Sequence, residues 1–137
     1  MNVDFIDSNV FIYLFDEVDH HKRLIAERIV RGALTDGTGV ISFQVVQETL
    51  NVLTRKLGAS SADARRFLDA VLTPLWTTAP SPRLYADALD VRSRFGFSFY
   101  DSLIIAAAID AGCARLLSED LQTGQSLHGL TVVDPFS

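Results

Sequence analysis

The sequence predicts an α/β fold, a three-layer arrangement in which a parallel sheet is covered by helices on both faces. Three observations carry the α/β class. Short apolar runs alternate along the chain with longer segments of helical period. No internal repeat, low-complexity tract or linker interrupts that alternation, which predicts a parallel sheet covered on both faces. Finally, 137 residues with 48% hydrophobic and 21% charged side chains suit a single domain spanning 1–137. A chain of that size buries roughly two thirds of its unfolded surface and needs no disulfide staple. Cys113 is alone, which excludes a cysteine framework and a Cys-based zinc site and suits a reducing, cytoplasmic location.

In chain order, residues 3–7 form an apolar run closed by Asp7, a buried strand. Residues 9–15 are apolar with little period and fit a short helix or a second strand. Residues 20–34 carry Ile25 and Ile29 on one face and end in a Thr-Asp-Gly turn, so they read as helix. Val40 and Ile41 make a brief strand. The helix over 43–57 shows a stripe of Val46, Leu50, Leu53 and Leu57, and Gly58 stops it. Ser60 or Ser61 caps a helix to about residue 72, followed by a strand over 75–78. Ser81 and Pro82 give the next helix its cap and first turn, with Leu84, Ala88, Val91 and Phe95 on its inner face. Residues 100–111 are nearly all apolar, a helix buried on several sides. Strands at 114–117 and 131–133 complete the sheet, and Trp76 is read as core or interface.

Several functions are excluded. The longest apolar stretch, 103–109, is far short of the ~20 residues of a membrane span. The opening Met-Asn-Val-Asp-Phe-Ile-Asp lacks the basic start of a secretory leader. A net charge of −5 argues against a protein that coats nucleic acid, though not against an enzyme that cuts it. Two basic runs, Lys22/Arg23/Arg28/Arg31 and Arg55/Lys56/Arg65/Arg66, could track a phosphate backbone or simply cover helix faces.

Ligands of open parallel sheets bind at the carboxyl ends of the strands. Asp7 ends the first strand, and Asp120 follows the strand at 114–117. Asp101 lies in the first turn of the apolar helix, where the dipole favours negative charge and burial demands a cation. Glu48 sits away from Val46 on a strip with Asn51 and Arg55, as a solvated residue would. Taken together, these carboxylates would repel one another unless divalent cations neutralise them. An all-oxygen set selects Mg²⁺ or Mn²⁺, and such ions promote phosphodiester hydrolysis. Ser8 and Ser118 could orient the carboxylates or bound waters, or equally make local turn hydrogen bonds.

Four segments carry a resemblance: Asp-Ser-Asn-Val-Phe-Ile-Tyr at 7–13, Gln-Glu-Thr-Leu-Asn-Val-Leu at 47–53, Tyr-Asp-Ser-Leu-Ile-Ile-Ala-Ala-Ala at 100–108 and Leu-Ser-Glu-Asp-Leu-Gln-Thr-Gly-Gln at 117–125. In this order and spacing the chain resembles the PIN domain family, and within it the VapC-type toxins of type II toxin–antitoxin systems. The resemblance implies a sheet of order 3-2-1-4-5 and a Mg²⁺-dependent endoribonuclease active in the cytoplasm. It also implies a cognate VapB-type antitoxin as partner and a homodimer, with no membrane association. It makes Asp7, Glu48, Asp101 and Asp120 the catalytic acids, with Asp7 and Asp101 as direct metal ligands. Glu119, beside them, is expected to be exposed. Large apolar residues on 43–57 and 61–72, Phe67 among them, are expected to serve the dimer and an antitoxin groove.

Other readings have weaker residues behind them. A housekeeping RNA-processing PIN nuclease and a non-catalytic partner-binding PIN-like domain share the fold; the intact acids disfavour the second. Gly32 to Thr38 has phosphate-loop glycine spacing without its lysine and reads as a helix-ending turn. Ser98, Asp120 and His128 have the chain order of a hydrolase triad but only half a nucleophile elbow. A phospho-acceptor domain would need a late lysine, and Lys56 is the last. His20, His21 and His128 show no ligand spacing and are read as surface residues.

Overall fold

In the computed structural model, which describes residues 2–137, the apolar runs become β1 (Asp4–Ile6), β2 (Gly39–Ser42), β3 (Trp76–Thr78), β4 (Arg115–Leu117), β5 (Ser126–Leu127) and β6 (Leu130–Val133). The sheet has the order β3-β2-β1-β4-β6-β5. Its five parallel strands follow the expected 3-2-1-4-5 order. The difference is β5, a two-residue strand that pairs antiparallel with β6 at the edge. The turn between them places His128 and Gly129 at φ 50° and 85°, as a tight hairpin requires. Phe5, Leu116 and Val132 lie in register across the sheet and are fully buried. Their neighbours Ile6 and Leu117 are also buried, so both faces of the sheet are covered.

The helices are α1 (Ser8–Tyr13), α2 (His20–Asp36), α3 (Phe43–Arg55), α4 (Ser61–Phe67), α5 (Thr73–Leu75), α6 (Pro82–Phe95) and α7 (Phe99–Asp110). A π-helical turn, Leu68–Leu72, joins α4 to α5. The caps fall where their chemistry places them: Ser60 and Ser81 accept from the backbone N–H groups of Asp63 and Leu84. Gly37 closes α2 in the left-handed conformation, confirming the helix-ending turn. Residues 102–108 of α7 are all buried, as its all-apolar sequence requires.

Some side chains lie elsewhere than the periodicity suggests. The buried face of α2 is Ala26, Val30 and Ala33, with Ile25 and Ile29 only half-buried beside it. Close approach to β2 explains this, since a Cβ on Gly39 would lie 2.5 Å from Ile6 Cδ1 and 2.8 Å from Ala33 Cβ. Only small residues fit at that contact. Gly39→Ala is therefore expected to destabilise the protein by about 1–3 kcal/mol in a urea titration; an unchanged midpoint would show that α2 slides freely over the sheet. Leu57 lies beyond the end of α3 and is exposed, and Phe95 is also largely exposed. Trp76 is not core: it is 42% exposed on the edge strand, its indole N–H donating to the Thr78 carbonyl at 2.8 Å. Phe67 packs edge-on against Phe11 and Phe15. Among the described residues, no helix is long and apolar enough to cross a membrane.

Candidate functional site

The parallel ladder runs one residue past the strands. Asp7 N–H donates to the Leu117 carbonyl and Ser118 N–H to the Val133 carbonyl, each at 3.0 Å. This sets Asp7 and Ser118 side by side at the carboxyl edge of the sheet. Asp7 caps α1, its Oδ1 accepting from Ser8 N–H at 2.7 Å, and its Oδ2 accepts from the Ser118 hydroxyl at 2.7 Å. Only 6% of Asp7 is exposed. Burial pushes its carboxyl up to about 6; the bonds from Ser118 and Ser8 oppose the rise, and the charges of Glu48 and Asp120 add to it.

Glu48, on α3, is half-buried rather than solvated. The Ser8 hydroxyl donates to its Oε2 at 2.8 Å, and Gln44 Nε2 donates to its Oε1 at 2.9 Å from one helical turn away. The same Gln44 nitrogen donates to the Tyr100 carbonyl at 3.1 Å. Gln44 thus ties Glu48 to the first turn of α7, next to Asp101. Asp101 itself is half-buried, and its backbone N–H donates to the Ser98 hydroxyl at 3.1 Å. Asp120 is exposed. Its N–H donates to the Ser118 hydroxyl at 3.2 Å, and its Oδ2 accepts from Asn9 Nδ2 at 3.1 Å.

The network links Asp7, Glu48 and Asp120 through Ser8, Ser118 and Asn9, while Asp101 is reached only through Gln44. It is open rather than closed: among the described residues, no three His, Cys, Asp or Glu side chains are grouped tightly enough to hold an ion. None of the four acids joins any ion pair among the described residues. The donor set is all oxygen, and its most buried member has no cation beside it among the described residues. That chemistry fits a hard divalent ion. Asn9 and Gln44 were missed by the sequence reading. Each has a buried amide oxygen without a partner, as do the hydroxyls of Ser42 and Ser102. Their proximity in sequence to Asp7, Glu48 and Asp101 was the available signal.

Glu119 is not exposed as expected. It accepts from the Tyr13 hydroxyl at 2.5 Å and from Lys22 Nζ at 2.7 Å, and Lys22 lies 4.9 Å from the centre of the Tyr13 ring. Burial raises the Glu119 carboxyl, but these two bonds outweigh it and hold the group below its ordinary range. Half of the residues in the two basic runs are likewise engaged, while Arg28, Arg31, Arg55 and Lys56 join no ion pair among the described residues. Lys22 pairs with Glu119, Arg23 with Glu27, Arg65 with Asp69 and Arg66 with Asp63. The hydrolase triad is not assembled, because Ser98 caps α7 while His128 sits against Arg94 and Phe95. All three histidines are exposed.

The sequence profile of the PIN domain family matches residues 5–123. No curated protein sequence matches the chain. Among solved structures, a toxin–antitoxin complex from Klebsiella pneumoniae has a chain 18% identical with a TM-score of 0.71, covering 96% of this chain and 97% of its own. VapC20 from Mycobacterium tuberculosis, a sarcin-ricin loop cleaving toxin, is 20% identical with a TM-score of 0.64, over 85% of this chain and 91% of its own. VapBC2 from Rickettsia felis, bound to a DNA fragment from its promoter, is 14% identical with a TM-score of 0.66, over 95% and 96%. At these identities the likeness is one of fold.

Proposed function

The chain belongs to the PIN domain family, and from that premise we propose that residues 1–137 act as a single metal-dependent endoribonuclease domain, a VapC-type toxin neutralised by a cognate VapB-type antitoxin. The observation that carries the reading is Asp7, a buried carboxylate with two accepted hydrogen bonds, a raised pKa and no cation partner among the described residues. Such a group is costly by itself and is explained by a ligand of opposite charge.

Asp7 and Asp101 would hold Mg²⁺ or Mn²⁺. The ion, when bound, offsets charge on the phosphodiester and makes water more acidic. Ser8 and Ser118 fix the orientation of the Asp7 carboxylate, each of whose oxygens accepts one hydrogen bond and keeps a lone pair for an ion. Glu48 has each oxygen already engaged once, leaving one lone pair on each for water. Asp120, exposed at the rim, is free to orient the attacking water or the leaving group. The expected result is cleavage of RNA in Mg²⁺ or Mn²⁺ that EDTA stops. Cleavage that survives chelation and requires Ser98 would overturn it.

The antitoxin and the homodimer are part of the same proposal. A groove lined by Ile12, Phe15, Leu53, Lys56, Leu57 and Asp63, with Phe15 42% and Leu57 47% exposed, supports a partner-binding face. A basic or bulky antitoxin side chain would reach the acidic site. Cytoplasmic residence belongs to the same proposal, and Cys113, a lone free thiol, suits a reducing compartment.

A further inference from the structure

Resting on the ribonuclease reading, we propose that Tyr100 is a stacking platform for a nucleobase beside the scissile phosphate of single-stranded RNA. Tyr100 is 69% exposed, the most exposed aromatic side chain among the described residues. It sits in the first turn of α7 next to Asp101. Its carbonyl is pinned by the Gln44 amide that also holds Glu48, so the ring's backbone is fixed relative to two candidate catalytic acids.

The ring has a solid backing. Phe99 lies edge-on at 5.6 Å, Tyr85 stacks on Phe99 at 6.4 Å with planes 22° apart, and buried Phe43 meets Tyr85 at 6.4 Å. The platform is therefore one end of an aromatic ledge rooted in the core, which loses little freedom on binding.

Electrostatics favour such a contact. The chain carries a net charge of −5, its site is lined by acids, and four of the eight cations in the two basic runs, Lys22, Arg23, Arg65 and Arg66, are already paired, leaving Arg28, Arg31, Arg55 and Lys56 outside the ion pairs among the described residues. Attraction for phosphate is reduced accordingly. Stacking supplies affinity that repulsion does not cancel and accepts any base, because each has a π-face. It also selects single strands, whose bases are free to leave their neighbours.

Steady-state cleavage of a fluorescent single-stranded RNA tests this. Tyr100→Ala is expected to raise KM about tenfold with much less effect on kcat, and Tyr100→Phe to rescue KM. In a Trp76→Phe background, Tyr100→Trp should lose fluorescence when single-stranded RNA is added and not when the same RNA is supplied as a duplex. This second reading needs no turnover: a wild type that fails to cleave removes the nuclease proposal, while the quench still decides whether the ledge binds bases. An active wild type with unchanged KM in Tyr100→Ala and no quench would overturn the platform alone. So would a shift of Tyr100→Ala from dimer to monomer in gel filtration at unaltered KM, which would make the ring a contact between copies of the chain.

Discussion

Replacing Asp7 by Asn is expected to abolish RNA cleavage and, at the same time, to make the metal-free protein more stable at neutral pH. In the folded chain the Asp7 carboxyl is pushed from 3.8 up to about 6. Between those values the native state holds a proton that the unfolded state has lost. Stability should fall as pH rises from about 4 to about 6 and level off above that. The accumulated penalty is of the order of 3 kcal/mol. Asn keeps the acceptor for Ser8 N–H and remains a good helix cap, and Ser118 can turn to accept from the new amide. Part of the penalty should therefore return as a melting temperature several degrees higher at pH 7.5, with little gain at pH 4. A variant that is less stable at both pH values would make Asp7 a structural cap.

Magnesium ions should raise the melting temperature of the wild type, and Asp101→Asn should remove most of that rise. A ligand at a hundred times its Kd stabilises by about 2.7 kcal/mol, whereas Asn at 101 preserves shape but withdraws one charge from the donor set. Without metal, the variant should be as stable as wild type or more so, because repulsion among the acids is reduced. The side chain of Asp101 makes no ion pair among the described residues, so nothing is left unpaired by neutralising it. Differential scanning fluorimetry of both proteins, with and without Mg²⁺, decides the matter. Equal Mg²⁺ shifts in the two would move the metal away from Asp101, and a destabilised variant with no shift in wild type would make Asp101 structural.

Much of the fold was legible because its signals are local. A serine before a helix, a proline at its first turn and a glycine after its end each act over a few residues. Ser81, Pro82 and Gly37 stand where those rules place them. The carboxyl-edge positions of Asp7 and Asp120 followed from strand runs alone. What stayed hidden depends on partners remote in sequence. Glu119 is held by Lys22 and Tyr13, 97 and 106 positions away, so its neighbours in the chain gave no hint of its burial. Gln44 is polar on a helix that reads as amphipathic, and only the α7 carbonyl opposite explains why it is 96% inside, with 4% exposed. The inner face of α2 was misread because periodicity ranks Ile above Ala, while the Gly39 contact admits only the smaller residue. Two residues, finally, are too few for β5 to show any period.

That short strand has a consequence for life at high concentration. A parallel sheet ends in open rows of N–H and C=O groups, which can recruit a strand from another molecule. Here one boundary is β5, two residues long and turned back by a hairpin, and the other is β3, three residues long with Pro74 before it and Pro80 beyond. Neither offers enough ladder to seed a growing ribbon. Crowded copies of the chain therefore find little open backbone through which to build an indiscriminate fibre.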